Sequence, residues 1–404
     1  MIFLEILLAI LIGILFGIFT GLVPGIHINL VSVLLVSVSS YLLGFTSPVV
    51  LGAFIVSMSV THTFLDTIPS IFLGAPSEDT ALSVLPGHRL LLKGMGYEAV
   101  KLTVIGSLLC LILTLIMIPF VISYLPKVYT FMSPYIGWIL LGVSIFMILK
   151  ENGLDKRFWG FYVFMISGIF GLIVLNIPNL KQPLLPMLSG LFGISTLLVS
   201  LFQEVEIPKQ RITEMVKVPK LKGLKAILGA TISGSLIGIF PGLGSAQAAI
   251  ISMQFVGELG VYAFLVLIGG INTVNFVFSL VTLYTIQKAR NGTVVAIFEI
   301  LKSISLNDLL IFMGAALLAG GIATFLTLKI AKLFSGLITK ISYPKLVLGV
   351  TLFIVALVFY FSSWLGLLIL IVSTAIGIVP ALIGVKRSLA MGCLMLPVIL
   401  FFLV

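Results

Sequence analysis

A 404-residue chain that is 60% hydrophobic and 9% charged, with a mean hydropathy of +1.31, is excluded from the water-soluble globular class. Soluble domains carry about 25% charged residues, and a single core stops growing near ~250–300 residues. The net charge of +10 is not a nucleic-acid footprint, because the lysines and arginines lie in short segments between apolar runs, where the positive-inside rule puts them.

In chain order, apolar stretches predict spans at 2–23, 26–46, 48–73, 99–125, 129–149, 158–177, 184–203, 224–240, 243–257, 259–285, 307–333, 344–361, 363–380 and 388–404. Most approach the ~20 residues that cross the hydrocarbon layer as a helix, and they lack the two-residue alternation of barrel strands. The chain is therefore read as an all-α integral membrane protein, multi-pass in the cell membrane. Allowing for breaks, it has about 12–14 transmembrane or re-entrant helices. The first stretch opens Met1-Ile2-Phe3-Leu4-Glu5, without a basic n-region, and is read as mature structure rather than a signal peptide. Cys110 and Cys393 lie singly in apolar runs and read as small core residues.

Two segments are polar. Residues 74–98 hold Glu78, Asp79, His88, Arg89, Lys93 and Glu98; residues 204–225 hold six basic residues against Glu204, Glu206 and Glu214. The second segment supplies a basic cytoplasmic linker, 204–223, between a first repeat at 1–203 and a second at 224–404. The loops at Lys150–Arg157, Lys329–Lys345 and Lys386-Arg387 fall on the same side, which leaves both termini external. The charged segment 286–306 is then an external loop.

The repeat is a matter of sequence. Gly17-x3-Gly21-x2-Pro24-Gly25 recurs as Gly234-x3-Gly238-x2-Pro241-Gly242, offset by 217 residues (24 to 241). Seven predicted spans separate the two motifs, an odd number, which gives the halves opposite orientation, as in many secondary transporters. Proline removes a backbone donor and glycine admits conformations that other residues resist. In lipid such a break is tolerated only where protein or a water-filled cavity satisfies the freed groups. A helix restarting after the break aims free N–H groups and a positive dipole end into the membrane. Two such breaks, with Pro24 and Pro241 near each other at mid-membrane depth, would suit an anion; helix kinks and close packing are the plainer alternative.

Polar residues follow each break, and they complete the candidate substrate site. The first group is Pro24, Gly25, His27 and Asn29; the second is Pro241, Gly242, Gly244, Ser245 and Gln247. Gly74, Ser77 and Thr80 join them if the segment Gly74–Thr80 is a substrate-facing loop rather than a helix cap. A candidate ion-coupling group lies in the third span, where Thr61 precedes His62 and Asp66, four apart and so on one helix face. Its counterpart in the second half is Asn272, Thr273 and Asn275. An ionisable residue at membrane depth is costly and marks an ion path by default, with a structural His–Asp pair as the alternative. Hydroxyl, amide and carbonyl oxygens suit Na+, and a His–Asp face suits a proton, so the coupling ion stays open. The spacing of His27, His62 and His88 predicts no metal site, and no other cofactor is expected. The chain carries no nucleophile elbow, His-Glu-x2-His or phosphate-binding loop, and is read as not an enzyme.

At Pro24-Gly25-Ile26-His27-Ile28-Asn29 the sequence resembles the membrane permease family of the tripartite tricarboxylate transporters, the large TctA-type subunit, in its short archaeal branch. Segment 71–94, with Gly74-Ala75-Pro76, Pro86-Gly87 and Lys93-Gly94, is similar to that family's Asn-Thr-Pro-Gly loop and the Asp-Gly-Tyr-Pro stretch beyond it. Gly238-x2-Pro241-Gly242-x-Gly244 matches its second-half motif. The loop departs from citrate-type members in reading Gly-Ala-Pro-Ser, and no Asp precedes Gly87. The resemblance implies ion-coupled uptake of carboxylates, with a small membrane subunit and an extracytoplasmic binding protein as partners.

The chain is thus read as a secondary active transporter for an organic anion, a carboxylate, coupled to Na+ or H+. One alternative is a translocase for a polyprenyl-phosphate lipid carrier, whose phosphate would sit at the same helix ends. Another is a membrane-embedded enzyme or a scaffold. Membrane lipids and the small anionic solute or lipid carrier are expected partners, nucleic acid is not, and a homodimer stays open.

Overall fold

The computed structural model describes residues 2–23, 28–74, 80, 82, 84–178, 180, 182–201, 208–213, 215–239, 244–338 and 343–403. All regular structure among them is helical. The chain runs through α1 (Ile2–Leu22), α2 (Ile28–Leu42), α3 (Pro48–Leu65), α4 (Val84–Leu91), α5 (Gly96–Val121) and α6 (Leu125–Met132). It continues through α7 (Ile136–Leu149), α8 (Leu154–Leu175), α9 (Leu184–Leu188), α10 (Ser195–Leu201), α11 (Lys220–Ile239) and α12 (Ser245–Val256). The remainder is α13 (Gly260–Ile286), α14 (Gly292–Leu301), α15 (Leu306–Ile338), α16 (Tyr343–Ile383) and α17 (Gly392–Leu403).

Among the described residues, eight helical stretches are long and apolar enough to cross a membrane, and four shorter ones are apolar. The protein is an all-α, multi-pass membrane protein. Two predicted spans, 344–361 and 363–380, are one helix, α16, bent at Ser363, whose backbone (φ 54°, ψ −156°) leaves the helical region. The segment 286–306 contains α14, where the sequence suggested only a loop. Its apolar run is ten residues long and flanked by charges, too short to register as a span. Asn291 caps it, accepting from the Val294 N–H at 2.9 Å, and Val294, Ala296, Ile297 and Ile300 are buried.

The chain forms two compact units. The first comprises Met1–Ile68, Tyr97–Phe131 and Thr213–Leu333; the second comprises Pro69–Gly96, Met132–Ile212 and Phe334–Val404. Each takes segments from both sides of the linker. Burial singles out two helices of the first unit. In the stretches Pro48–Leu73 and Gly260–Ile286, 83% and 89% of the apolar window is enclosed, against 28–39% in the other six. A span buried inside protein is free to carry polar groups that lipid would not tolerate.

Glycines set the helix distances. In the first unit α1 lies on α3 through Gly13, Gly17 and Gly21, and α11 lies on α13 through Gly234 and Gly238. α5 approaches α13 at Gly106 and Gly269, so closely that a Cβ on either would collide with facing backbone, and Ser107 donates to the Gly269 carbonyl at 3.0 Å. In the second unit α8 and α17 meet in the same fashion at Gly171 and Gly392. The wide turn Ser189–Ile194, a π-helix, packs on α16 through Gly190 and Gly377. Linker residues 208–213 are tied down. Gln210 accepts from the Gly96 N–H at 2.9 Å and donates to the Leu91 carbonyl at 3.0 Å, and the Arg211 N–H donates to the Gly94 carbonyl at 2.9 Å. Cys110 and Cys393 are buried and outside any disulfide.

Candidate functional site

The site is built where α3 breaks. Ser47 and Pro48 start this helix, proline being suited to a first helical position because its missing N–H has no partner there anyway. The α-helical run ends at Leu65 with Asp66 as its C-cap, the Asp66 N–H bonding the His62 carbonyl at 2.9 Å. Three residues on, Pro69 cannot donate to the Leu65 carbonyl four positions back. The chain widens there into a π-helical turn, Pro69–Leu73, a form that recurs at functional sites. Asp66 therefore places a carboxylate at an interruption inside an otherwise enclosed apolar span.

Around this joint the first unit gathers a buried polar cluster. His62 and Asp66 are each 4% exposed. The His62 Nδ1 lies 3.1 Å from Thr20 Oγ1, and the Thr20 hydroxyl donates to the Gly17 carbonyl at 3.3 Å. That leaves the Thr20 oxygen to accept, which places the proton on Nδ1. From α13, the Asn272 amide donates to Asp66 Oδ2 at 2.7 Å, a charge-assisted contact. The hydroxyls of Thr63 and Thr273 lie 3.0 Å apart, and Thr103 of α5 donates to Thr67 at 3.2 Å. Four helices, α1, α3, α5 and α13, thus contribute to one ladder of hydrogen bonds.

Packing aligns the two halves independently of the motif. A Cβ on Gly21 would meet Leu65 Cβ at 2.8 Å, the Asp66 nitrogen at 3.3 Å and the His62 oxygen at 3.3 Å. A Cβ on Gly238 would meet Phe278 Cβ at 2.7 Å, the Ser279 nitrogen at 3.2 Å and the Asn275 oxygen at 3.0 Å. Gly17 faces Met58 O and Thr61 Cβ as Gly234 faces Ile271 O and Val274 Cβ. Helix ends follow the same register. α1 and α11 stop at Leu22 and Ile239, and α2 and α12 start at Ile28 and Ser245, both offset by 217. By this match His62 corresponds to Asn275, and Asp66 to Ser279.

Of the predicted ion-coupling residues, the structure brings His62, Asp66, Asn272 and Thr273 together. Thr61 instead packs against Gly17, and the half-buried Asn275 accepts the Ser279 hydroxyl on its carbonyl at 2.8 Å. Of the predicted substrate residues, Pro24, Gly25, His27, Ser77, Pro241 and Gly242 lie outside the described residues, as does the side chain of Asn29. Gly244 and Gln247 form a helix cap, the Gln247 Oε1 accepting from the Gly244 N–H at 3.0 Å beside the buried Ser245. Gly74 (φ +64°) and the buried Thr80 belong to the second unit, where Thr80 accepts from the Ser70 hydroxyl at 2.5 Å. Sequence reasoning missed Thr20 and Thr103. Each is one hydroxyl on an apolar helix, and only the tertiary fold gives either a partner. It also missed Glu98, 2% exposed, which accepts from the hydroxyls of Thr213 and Tyr262.

Enclosed spans joined by a buried acid, imidazole and amide, in a helical multi-pass protein, define a membrane transport protein. The comparisons narrow this class. The model of the Tripartite tricarboxylate transporter TctA family matches residues 7–392, and the chain belongs to that family of transporter permeases. It is similar to an uncharacterized protein of Methanocaldococcus jannaschii, 31% identical over 361 residues that cover 87% of this chain and 88% of that protein. No solved structure matches.

Proposed function

We propose that this permease moves a small organic carboxylate across the membrane, driven by Na+ or H+ taken up at the His62–Asp66–Asn272 cluster. One observation carries the proposal: a carboxylate and an imidazole, four residues apart, are buried at the break of an enclosed span. A helix C-terminus presents the negative end of the helix dipole, so Asp66 adds a second negative charge where the Leu65 carbonyl has lost its proline partner. Carboxylate, hydroxyl and carbonyl oxygens in that setting favour a cation, and Asn272 offsets only part of the charge. A buried ionisable group of this kind is the ordinary mark of an ion path.

In the same proposal the matched packing is that of two inverted repeats, 1–203 and 224–404, joined by a cytoplasmic linker. The breaks at Pro24-Gly25 and Pro241-Gly242 then face a shared carboxylate, with His27, Asn29, Ser245 and Gln247 nearby. Family membership supports a small membrane subunit and an extracytoplasmic binding protein as partners.

Thermal unfolding of the purified chain with citrate and succinate, in Na+ or K+ at constant ionic strength and at several pH values, tests this. A ligand at 100 times its dissociation constant stabilises the native state by about 2.7 kcal/mol. Coupling is reciprocal, so the carboxylate shift is expected to grow with Na+ or with acidity. No response to any di- or tricarboxylate, or one indifferent to both cations, would sink the proposal.

A further inference from the structure

At one end of the second unit, cations outnumber acids. Lys386 pairs with Glu151 at 3.3 Å, and Arg157 Nε donates to the Glu151 carbonyl at 3.2 Å. The next residue in the chain, Arg387, has a different environment. Its Nη1 donates to Thr196 Oγ1, whose own proton goes to the Phe192 carbonyl at 2.5 Å. No carboxylate of the described residues forms an ion pair with Arg387. The charge that acts on it is another arginine. Burial, and then the like charge of Arg89, lower the Arg387 guanidinium to about 10.

Arg89 is held in place by its neighbours on α4. The His88 Nδ1 donates to the Ile71 carbonyl at 3.2 Å, and Gly87 lies so close to Ile71 that a Cβ would come within 2.6 Å of its Cγ1. Burial keeps the His88 ring neutral, its pKa lowered to about 4, so the anchor adds no charge of its own. Removing a guanidinium from water without an acid beside it is destabilising, and a second guanidinium in its field makes it more so. A planar fork of donors is the side chain that matches an oxyanion in two parallel hydrogen bonds.

We infer that Arg387 and Arg89, with the Thr196 hydroxyl beside them, form an oxyanion-binding site on the second unit. Carboxylates and phosphates share the chemistry, so the ligand is either the transported solute or the phosphate of an anionic lipid headgroup. Only the solute case rests on the transport proposal above.

The test uses the full chain, stripped of lipid in a neutral detergent, with thermal unfolding titrated against citrate, succinate, inorganic phosphate and short-chain phosphatidylglycerol. In the wild type at least one of these is expected to raise the midpoint. Arg387→Gln and Arg89→Gln should each weaken that response at least tenfold. Arg387→Lys, which keeps the charge and loses the fork, should fall between. Without ligand the Gln variants should unfold at the wild-type temperature or above it, since a like-charge pair has been relieved.

A carboxylate response identifies the solute; a response confined to the phospholipid identifies the headgroup, and the site stands even though the transport proposal fails. A carboxylate response kept whole in Arg387→Gln and Arg89→Gln overturns the site and leaves transport intact. The site is equally overturned if no anion acts on the wild type, or if both Gln variants lose several degrees without ligand.

Discussion

Around Gly21 and Gly238 the facing helices present the same three atoms at distances that agree within 0.3 Å, yet the residues supplying them differ in kind. α3 offers His62, Leu65 and Asp66; α13 offers Asn275, Phe278 and Ser279. The two helices are also the two most enclosed spans, so burial does not explain the difference. Packing against a glycine-lined partner is a property of both halves, whereas ionisable chemistry belongs to one. The half without charge still contributes, because Asn272 of α13 reaches Asp66. The difference teaches that the repeat builds the frame, and that α3 has been specialised within it.

The largest expected effect tests the shared frame. Gly17→Leu and Gly234→Leu each force a side chain into facing backbone, since even a Cβ would stand 2.5 Å from Met58 O or 3.0 Å from Ile271 O. Each should cost about 3 kcal/mol or prevent folding. Monodisperse yield and melting temperature are the readouts. If one variant is tolerated and the other is not, the packing equivalence of α3 and α13 breaks.

A smaller effect, which must be kept apart from the comparison, is acid lability arising in the second unit. The folded pKa of His88 is about 4, below its ordinary 6.5. Between these values the unfolded chain binds the extra proton, so stability is full above pH 6.5 and falls as pH drops toward 4, by about 3 kcal/mol in all. His88→Asn keeps a donor for the Ile71 carbonyl and should flatten that limb of a melting-temperature profile. A profile unchanged in His88→Asn would assign the lability elsewhere.

The smallest effects sharpen the contrast in charge. Asn272→Ala removes a donor from a buried carboxylate and should cost about 2 kcal/mol. Ser279→Ala removes only a hydroxyl bonded to its own helix at Asn275 O, for about 0.5 kcal/mol. Equal costs, measured as denaturant midpoints, would mean that Asp66 gains nothing from Asn272.

Much of this was legible in the sequence, for physical reasons. The apolar runs, the 217-residue offset and the pair His62–Asp66 are one-dimensional signals, each produced by a constraint that acts along a single helix. Asn272 and Thr273 were legible too, because hydrogen-bonding side chains are rare in a span as apolar as α13. Thr20 and Thr103 were not: a lone hydroxyl on an apolar helix commonly bonds its own backbone, and nothing local tells it apart from one that meets a histidine or a threonine of another helix. The π-turn at Pro69–Leu73 was foreshadowed only by its proline. α14 was hidden by its shortness, and Arg387 by the apolar helix that follows it.

The account stands most directly on the charge of Asp66. Purified wild type, Asp66→Asn and Ser279→Ala should be reconstituted in parallel, and carboxylate uptake measured against imposed Na+ and pH gradients, with the melting temperature of each preparation recorded. Asn keeps the shape and hydrogen-bonding capacity of Asp and removes only the charge. The account predicts that Asp66→Asn loses gradient-driven uptake by at least tenfold while melting within a few degrees of wild type, and that Ser279→Ala transports normally. Full, gradient-dependent uptake by Asp66→Asn would contradict it.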